Sequence, residues 1–412
     1  MKTPKDLGYI KNLLLTSVMG GLIGLLNYVF NIIVARYTES SVFGLFSAAM
    51  AIIYLLQIPA TSIQAIITKK IGENRKYNMN GFKWESLIIF SILGIVISTI
   101  FFIFKGQLSQ ISNVSQDVFI YLAVVLFLAF VSPIAKGLLL GVEKIVTVNI
   151  LLFAETILKL IMGIVAIKMG GSIPLLILAN GIPALLTTLF IIPLTKLNGE
   201  KSEKKITVNY KDLILTTVSF LLLSAPYTLD LILVNTSFRS EYSAVSLLGK
   251  LVYFAAITIA AVMFARLSNQ RDVQAEKKTL LISLAGTVGI GIAVTLGLYI
   301  FKDLVITMTI GSQYLSIAPY IALFGLCMTG YAVVFMLANY FISISSFKYI
   351  FILVFMVALQ IYLFVTNNNE LMQVLNNQII VYSTLTVLTL IYLYFTFKKR
   401  KNGEENQIRE NN

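Results

Sequence analysis

Twelve apolar runs that are almost free of charged residues divide the chain, and their length constrains its fold more than any other feature. A helix needs about 20 apolar residues to cross the roughly 30 Å hydrocarbon core of a membrane. The pattern predicts an all-α polytopic membrane protein with about twelve transmembrane helices. The predicted spans are residues 12–34, 43–67, 86–104, 118–140, 149–169, 173–195, 213–234, 242–265, 279–301, 315–340, 347–366 and 377–397.

Composition excludes a soluble protein. The chain of 412 residues is 58% hydrophobic and 12% charged, whereas soluble chains are about 45–50% apolar and about 25% charged. Lys2, Lys5 and Lys11 precede the first apolar run, as in a signal peptide. However, the uncharged run 12–35 is longer than the apolar region of a signal peptide. We therefore expect an uncleaved first span.

Several kinds of functional site are missing from the sequence. There is no histidine, and Cys327 is the only cysteine. Histidine-based metal sites, catalytic triads and internal disulfides are therefore excluded. No Gly-rich loop ending in Lys-Ser or Lys-Thr is present, so an intrinsic ATPase is not expected. We predict that the protein has no cofactor and is not an enzyme.

The basic residues are sorted between alternate loops, which predicts the topology. The N-terminus, the loops near 68–85, 141–148, 196–212, 266–278 and 341–348, and the tail hold 24 of the 32 Lys and Arg residues. By the positive-inside rule, both termini are expected to be cytoplasmic. The net charge of +13 then faces anionic membrane lipids, and no nucleic-acid partner is expected.

The basic loop 196–212 lies near the middle of the chain and predicts two halves. We expect an N-terminal six-helix bundle at 1–205, a C-terminal six-helix bundle at 206–397 and an unstructured cytoplasmic tail at 398–412. Each half begins with a span, a short outer loop, a span rich in small residues and a basic inner loop. Two such bundles around a central cavity are a common transporter design.

Five ionisable residues lie inside predicted spans, where charges are costly and often functional. We expect Lys136 to extend to the inner interface. Glu155 and Lys159 are spaced i,i+4 on the fifth span. They form either a neutralised pair or a substrate site in which an anion displaces the carboxylate from Lys159. Asp230 and Lys250 lie on the consecutive, antiparallel seventh and eighth spans, where they either pair or line the cavity.

Other residues inside the spans are candidates for gating and interhelical contact. Pro226 lies four residues before Asp230 and permits a helix bend beside an acidic group, which suits an ion-coupled gate as well as a purely structural pair. Pro183 in the sixth span and Pro59 in the second are further candidates for gating. Asn27 and Asn31 share one face of the first span, where interhelical hydrogen bonding is favoured over substrate contact.

Several motifs resemble the polysaccharide flippases of the multidrug/oligosaccharidyl-lipid/polysaccharide transporter superfamily. The resemblance covers residues 10 to 270, with two departures: the turn 240–244 lacks the usual glycine, and Ala265 replaces a common proline. Twelve spans rather than fourteen argue against the lipid II flippase branch. The motifs are Asn31–Arg36 (NIIVAR), Phe43–Ser47 (FGLFS), Lys136–Lys144 (KGLLLGVEK), Thr228–Val234 (TLDLILV), Leu248–Val252 (LGKLV) and Phe264–Ser268 (FARLS).

This resemblance implies export of a glycan linked to a polyprenyl diphosphate, by alternating access, for cell-surface polysaccharide biosynthesis. Lys159 and Lys250 are then the expected cavity cations for the diphosphate, and a proton or sodium ion is the expected coupling ion. One alternative is a multidrug antiporter of the same superfamily, which would use acidic cavity groups. The other is a membrane-embedded glycosyltransferase or polymerase, which the short outer loops disfavour.

Overall fold

The computed structural model describes residues 4–74, 76–198, 210–267, 273–344 and 346–410, and all regular elements in these ranges are helices. The chain forms two compact units, Met1–Thr217 and Val218–Asn412. The expected boundary between residues 205 and 206 lies outside the described residues.

The first unit contains eight helices and the start of a ninth. They are α1 Pro4–Tyr37, α2 Ser40–Leu56, α3 Ile58–Glu73, α4 Asn80–Ile103, α5 Lys105–Ser112, α6 Phe119–Gly141, α7 Ile145–Lys168, α8 Ile173–Leu194 and α9 Tyr210–Leu233. The short 3-10 helix Gln116–Val118 precedes α6.

The second unit contains most of α9 and six further helices. They are α10 Arg239–Leu267, α11 Val273–Ile300, α12 Lys302–Met308, α13 Ala318–Ser343, α14 Ile350–Thr366 and α15 Leu371–Glu410. Three 3-10 helices precede α10, α13 and α14, at Thr236–Phe238, Ser312–Ile317 and Phe347–Tyr349.

All twelve predicted spans fall on helices, so the all-α polytopic fold is confirmed. In the described part of the chain, ten helical segments are long and apolar enough to cross a membrane. The α9–α10 pair, counted as one span, would be an eleventh. Its helices meet at 90°. The expectation that the seventh and eighth spans run antiparallel is therefore wrong.

The helix boundaries test two further expectations. The predicted second span lies in one apolar segment, Ser40–Glu73, and is interrupted near Pro59, because α2 ends at Leu56 and α3 begins at Ile58 with Pro59 as its second residue. Proline fits the first turn of a helix but not its interior, which places the break here. The tail 398–412 was expected to be unstructured, yet α15 continues through Glu410.

The helix α4 shows how the first unit presents itself to a membrane. Ile88, Ile92 and Ile95 are exposed, whereas Gly94 and Ser98 are buried. In water this distribution would be unfavourable, but lipid tails are as apolar as the isoleucines, so small residues are free to face other helices. The outward apolar face therefore marks the surface that meets lipid.

A short sequence repeat occurs once in each unit, at matching places. Ile-Phe-Lys occurs at 103–105, between α4 and α5, and again at 300–302, between α11 and α12. In both places a long helix is followed by a short one, of 8 and 7 residues, and then by a 3-10 helix. The repeated order of elements indicates that the halves follow one structural plan.

Close packing of α3 on α6 depends on two glycines of the Lys136–Lys144 motif. A methyl group added at Gly137 would lie 2.9 Å from Ile67 Cβ and 3.0 Å from the Gln64 carbonyl oxygen. One added at Gly141 would lie 2.6 Å from Ile71 Cβ. Small residues at such positions let two helix backbones approach each other closely.

We predict that Gly137→Ala destabilises the protein by about 1–3 kcal/mol, because the new methyl group forces the two helices apart. The matched control is Gly297→Ala on α11, where nothing lies within 4 Å of the added carbon. The control should be neutral or slightly stabilising, since alanine favours helix. The thermal unfolding midpoint in detergent measures both, and equal midpoints would contradict the packing role.

Candidate functional site

A cavity of about 480 Å³ opens inside the first unit. Its walls come from α1, α2, α3, α6, α7 and α8, and they mix apolar side chains with a ring of polar ones. The polar lining residues are Asn27, Tyr54, Gln57, Thr61, Gln64, Ser132, Lys136, Glu155, Thr156, Lys159 and Asn180. Two lysines and one glutamate give the lining a formal charge of +1.

Glu155 forms its ion pair with Lys136 rather than with Lys159. Lys136 Nζ lies 2.9 Å from Glu155 Oε2, and the Thr187 hydroxyl donates to the other carboxylate oxygen. The i,i+4 pairing on the fifth predicted span is therefore wrong. So is the expected reach of Lys136 to the interface, because its ammonium is held inside the cavity by Glu155.

Lys159 faces the cavity without a carboxylate partner. Its ammonium donates to Asn27 Oδ1 at 3.0 Å and lies 4.5 Å from the centre of the Phe30 ring. Asn27 is fixed in turn, because its amide nitrogen donates to the Ile23 carbonyl. Within the described ranges, no carboxylate lies within 4.0 Å of Lys159 Nζ. An amide dipole and an aromatic face stabilise a cation but do not neutralise it.

Asn27 and Asn31 on α1 have different hydrogen-bond partners. Asn27 bonds Lys159 across to α7, which fits the expected interhelical hydrogen bonding. Asn31 donates to the Asn27 carbonyl oxygen on its own helix. Thr187 was not predicted as a site residue, since a threonine in an apolar span gives no sequence signal that distinguishes it from a packing residue.

Three prolines of the first unit lie either inside a helix or at a break between two helices. Pro133 and Pro183 are inside α6 and α8 and both line the cavity. Pro59 lies at the break between α2 and α3. A proline inside a helix removes one backbone hydrogen bond and permits a bend. The cavity is therefore bordered by the places where its helices bend most easily.

In the second unit, Asp230 and Lys250 form a buried cluster. Lys250 Nζ lies 3.9 Å from Asp230 Oδ2, and the two side chains are 9% and 0% exposed. Asp230 also accepts from the Tyr242 hydroxyl at 2.9 Å and from the Leu231 amide at 2.8 Å. Both charges are thus compensated, and neither residue lines the cavity of the first unit.

The backbone around Pro226 supplies further partners to this cluster. Lys250 Nζ donates to the Tyr227 carbonyl at 2.9 Å and lies 4.1 Å from the centre of the Tyr227 ring. The Pro226 carbonyl oxygen accepts from three side chains of α14 and α15, at 2.9–3.0 Å. These side chains are Gln360, Gln378 and Tyr382. Donors from neighbouring helices thus take the carbonyls beside the proline.

No three histidine, cysteine, aspartate or glutamate side chains group together anywhere in the described ranges. The two charged clusters therefore consist of lysine, carboxylate, amide and hydroxyl groups. Such groups bind anions and polar head groups by charge and hydrogen bonding.

Comparison with known families identifies the chain. The sequence profile of the family described as polysaccharide biosynthesis protein matches residues 9–237, more than half of the chain. The chain belongs to this family. No curated protein sequence matches the chain.

The fold of this polysaccharide biosynthesis protein is shared by solved transporters and a flippase. The lipid II flippase MurJ in an inward closed conformation has a TM-score of 0.74 at 15% identity, over 92% of this chain and 87% of MurJ. An inward-facing multidrug resistance MATE family transporter of the MOP superfamily has a TM-score of 0.72 at 17% identity, over 92% of this chain and 96% of that chain. An outward-facing multidrug resistance MATE family transporter of the MOP superfamily has a TM-score of 0.65 at 15% identity, over 95% of this chain and 96% of that chain.

These similarities establish a multi-pass membrane protein with the fold of the MOP superfamily. None of these solved proteins is an enzyme. The family match ends at residue 237. It covers the cavity and Asp230 but not Lys250.

We predict that Glu155→Gln destabilises this family member by about 1.5–3 kcal/mol, because a charged hydrogen bond is lost and Lys136 keeps an unpaired charge in the cavity. The double variant Glu155→Gln with Lys136→Met should recover most of the loss, since it removes both charges. Unfolding midpoints of the two single variants and the double variant measure the coupling. Additive losses would show that the two side chains do not interact.

Proposed function

We propose that the protein is a flippase that moves a glycan linked to a polyprenyl diphosphate across the bacterial plasma membrane, by alternating access, for cell-surface polysaccharide biosynthesis. The observation that carries the proposal is the unneutralised ammonium of Lys159 in the cavity of the first unit. Family membership and the shared fold of MurJ and MATE transporters support it.

The charge balance of the cavity favours an anionic cargo. Glu155 is already held by Lys136 and Thr187, so it offers little free negative charge to a cationic drug. Lys159 has only neutral partners, an amide and an aromatic ring. A diphosphate entering hydrocarbon needs cations that are not already paired. We therefore propose Lys159 as the residue that receives the diphosphate.

The remaining lining suits the polar part of such a cargo. A volume of about 480 Å³ lies within the usual range for ligand pockets. Amides and hydroxyls from six helices offer donors and acceptors, the partners that sugar hydroxyl groups require. The polyprenyl tail would stay in lipid, where apolar chains need no protein partner.

Lys250 is proposed for a different role from Lys159. Its charge is compensated by Asp230 and by the Tyr227 carbonyl, so it is not available to an anion while that cluster is intact. We propose that Asp230 and Lys250 couple transport to a proton or sodium gradient, with the bend at Pro226 as the gate. Pro183 and Pro59 are the matching candidates for gating in the first unit.

The topology of the proposal follows the charge of the loops. Both termini face the cytoplasm, because the basic loops alternate with nearly uncharged ones along the chain. Cargo is then loaded on the cytoplasmic side and released outside. The alternative function is that of a multidrug antiporter with the same fold.

We expect Lys159→Met to reduce export of the lipid-linked glycan at least tenfold, since the diphosphate loses its unpaired cation. The matched control is Lys168→Met, an exposed lysine on the same helix. Mass spectrometry of lipid-linked sugars in cells, with the side on which they accumulate, measures the effect. Normal export in Lys159→Met cells with normal protein levels would remove the proposed role of Lys159.

We expect Asp230→Asn to abolish the stimulation of transport by an imposed proton or sodium gradient, because the variant loses the carboxylate that would bind the ion. Flipping in the absence of a gradient should remain. The control is Asp117→Asn, an exposed acid beside α6. Transport into vesicles with and without each gradient is the measurement. Unchanged gradient dependence in Asp230→Asn would exclude the coupling role.

A further inference from the structure

Three polar side chains form a row along the first turns of α10. Arg239, Ser243 and Ser246 are spaced i, i+4 and i+7, so they share one face of the helix. They are 2%, 2% and 1% exposed. Among the residues that the structure describes, Arg239 Nε and Nη1 and both serine hydroxyls have no hydrogen-bond partner. We call these three residues the α10 polar row.

The guanidinium of Arg239 is the unusual member of the row. Only Nη2 is bonded, to the Val234 carbonyl at 3.0 Å, where α9 ends. Within the described ranges, no carboxylate lies within 4.0 Å of it, including Glu241 in the same helical turn. Arginine stays charged in proteins, so this is a buried cation without a counter-ion. Such a group is strongly destabilising until an anion meets it.

The two serine hydroxyls do not bond to their own helix. Buried hydroxyls elsewhere in the second unit bond back to the carbonyl four residues earlier, as Ser283 does to Thr279 and Thr295 does to Gly291. Ser243 and Ser246 do not form this bond. Their hydroxyls are therefore free to donate to a group outside the helix, on the same side as the guanidinium.

The position of the row at the start of α10 adds to its preference for an anion. Arg239 is the first residue of a helix of 29 residues. The N-terminal end of a helix carries a partial positive charge and disfavours a cation there. A negative group that meets Arg239 would be stabilised by the guanidinium and by the helix end together.

We propose that the α10 polar row is a phosphoryl-binding site, separate from the cavity of the first unit. The two free nitrogens of Arg239 present the forked donor geometry that matches phosphate oxygens, and the two hydroxyls supply further donors. The phosphoryl group comes from the diphosphate of the cargo or from the head group of a membrane phospholipid. The cargo source rests on the proposed function, whereas the phospholipid source does not.

The bond from Arg239 to the Val234 carbonyl does not explain the free donors of the α10 polar row. Capping the end of α9 uses one of five donor hydrogens and needs neither serine. A purely structural arginine would be expected to have its remaining donors satisfied, because buried polar groups in native proteins are hydrogen-bonded. Three side chains with free donors on one face of α10 favour an acceptor from outside the protein.

The test is direct binding to the purified full chain in detergent. The probes are farnesyl diphosphate and short-chain phosphatidylglycerol, with farnesol as the control without phosphate. All titrations use the Lys159→Met background, so that the cavity lysine does not contribute. We expect Ser243→Ala with Ser246→Ala to weaken phosphoryl binding at least tenfold, and Arg239→Gln more, since hydrogen bonds to charged groups are lost. The matched control is Ser283→Ala, a buried serine that bonds to its own helix.

Stability of the ligand-free protein gives a second, opposite readout. The double serine variant should unfold at an equal or higher temperature than its parent, because it removes buried hydroxyls that have no partner. Structural hydrogen bonds from these serines would instead lower the midpoint. This measurement keeps the proposal testable even if Arg239→Gln fails to fold.

Each outcome decides the proposal. Loss of farnesyl diphosphate binding alone supports a cargo site, and loss of phosphatidylglycerol binding alone supports a lipid site. Loss of both supports a general phosphoryl site. Unchanged binding of both probes in the double serine variant, or a lowered midpoint without ligand, would overturn the proposal. Because the readout is binding and not export, it is independent of whether Lys159 serves transport.

Discussion

Hydrocarbon offers no hydrogen-bond partner to a backbone carbonyl or a charge, and the arrangement of polar residues in this protein follows from that constraint. Pro226 lacks the N–H that would bond the Leu222 carbonyl in α9, and its own carbonyl accepts from side chains of α14 and α15. Lys250 donates to the carbonyl of the next residue, Tyr227. The polar side chains inside the apolar spans thus form hydrogen bonds largely with one another and with backbone carbonyls.

The two units hold their buried charges with different residues. In the first, Lys136 and Glu155 neutralise each other and Lys159 is left in excess beside a cavity. In the second, Asp230 and Lys250 pair in a buried cluster, and the uncompensated cation is Arg239 at the start of α10. Among these groups, each unit has one ion pair and one cation without a carboxylate partner, although the residues and their surroundings differ.

Hydropathy predicted the helices because a membrane-spanning segment must be apolar over its whole length, and all twelve runs became helical. The ion-pair partner of Glu155 could not be predicted in this way. A spacing of i,i+4 places Lys159 within reach, but the rotation of α7 against α6 decides that Lys136 is closer. The helical tail was missed for a related reason: a polar segment carries no hydropathy signal, yet α15 continues through it. The break before Pro59 was visible, because proline has the same local effect in any fold.

The Pro226 carbonyl oxygen has one more implication. An oxygen with two lone pairs receives three donors, so the donors share its accepting capacity. Gln360 also donates to Gln378, which links two of the three to each other. Loss of any one of these side chains leaves enough donors to saturate the oxygen. The conformation of α9 at Pro226 is therefore held by more donors than the carbonyl oxygen needs. Loss of a single one of the three side chains would leave this conformation intact.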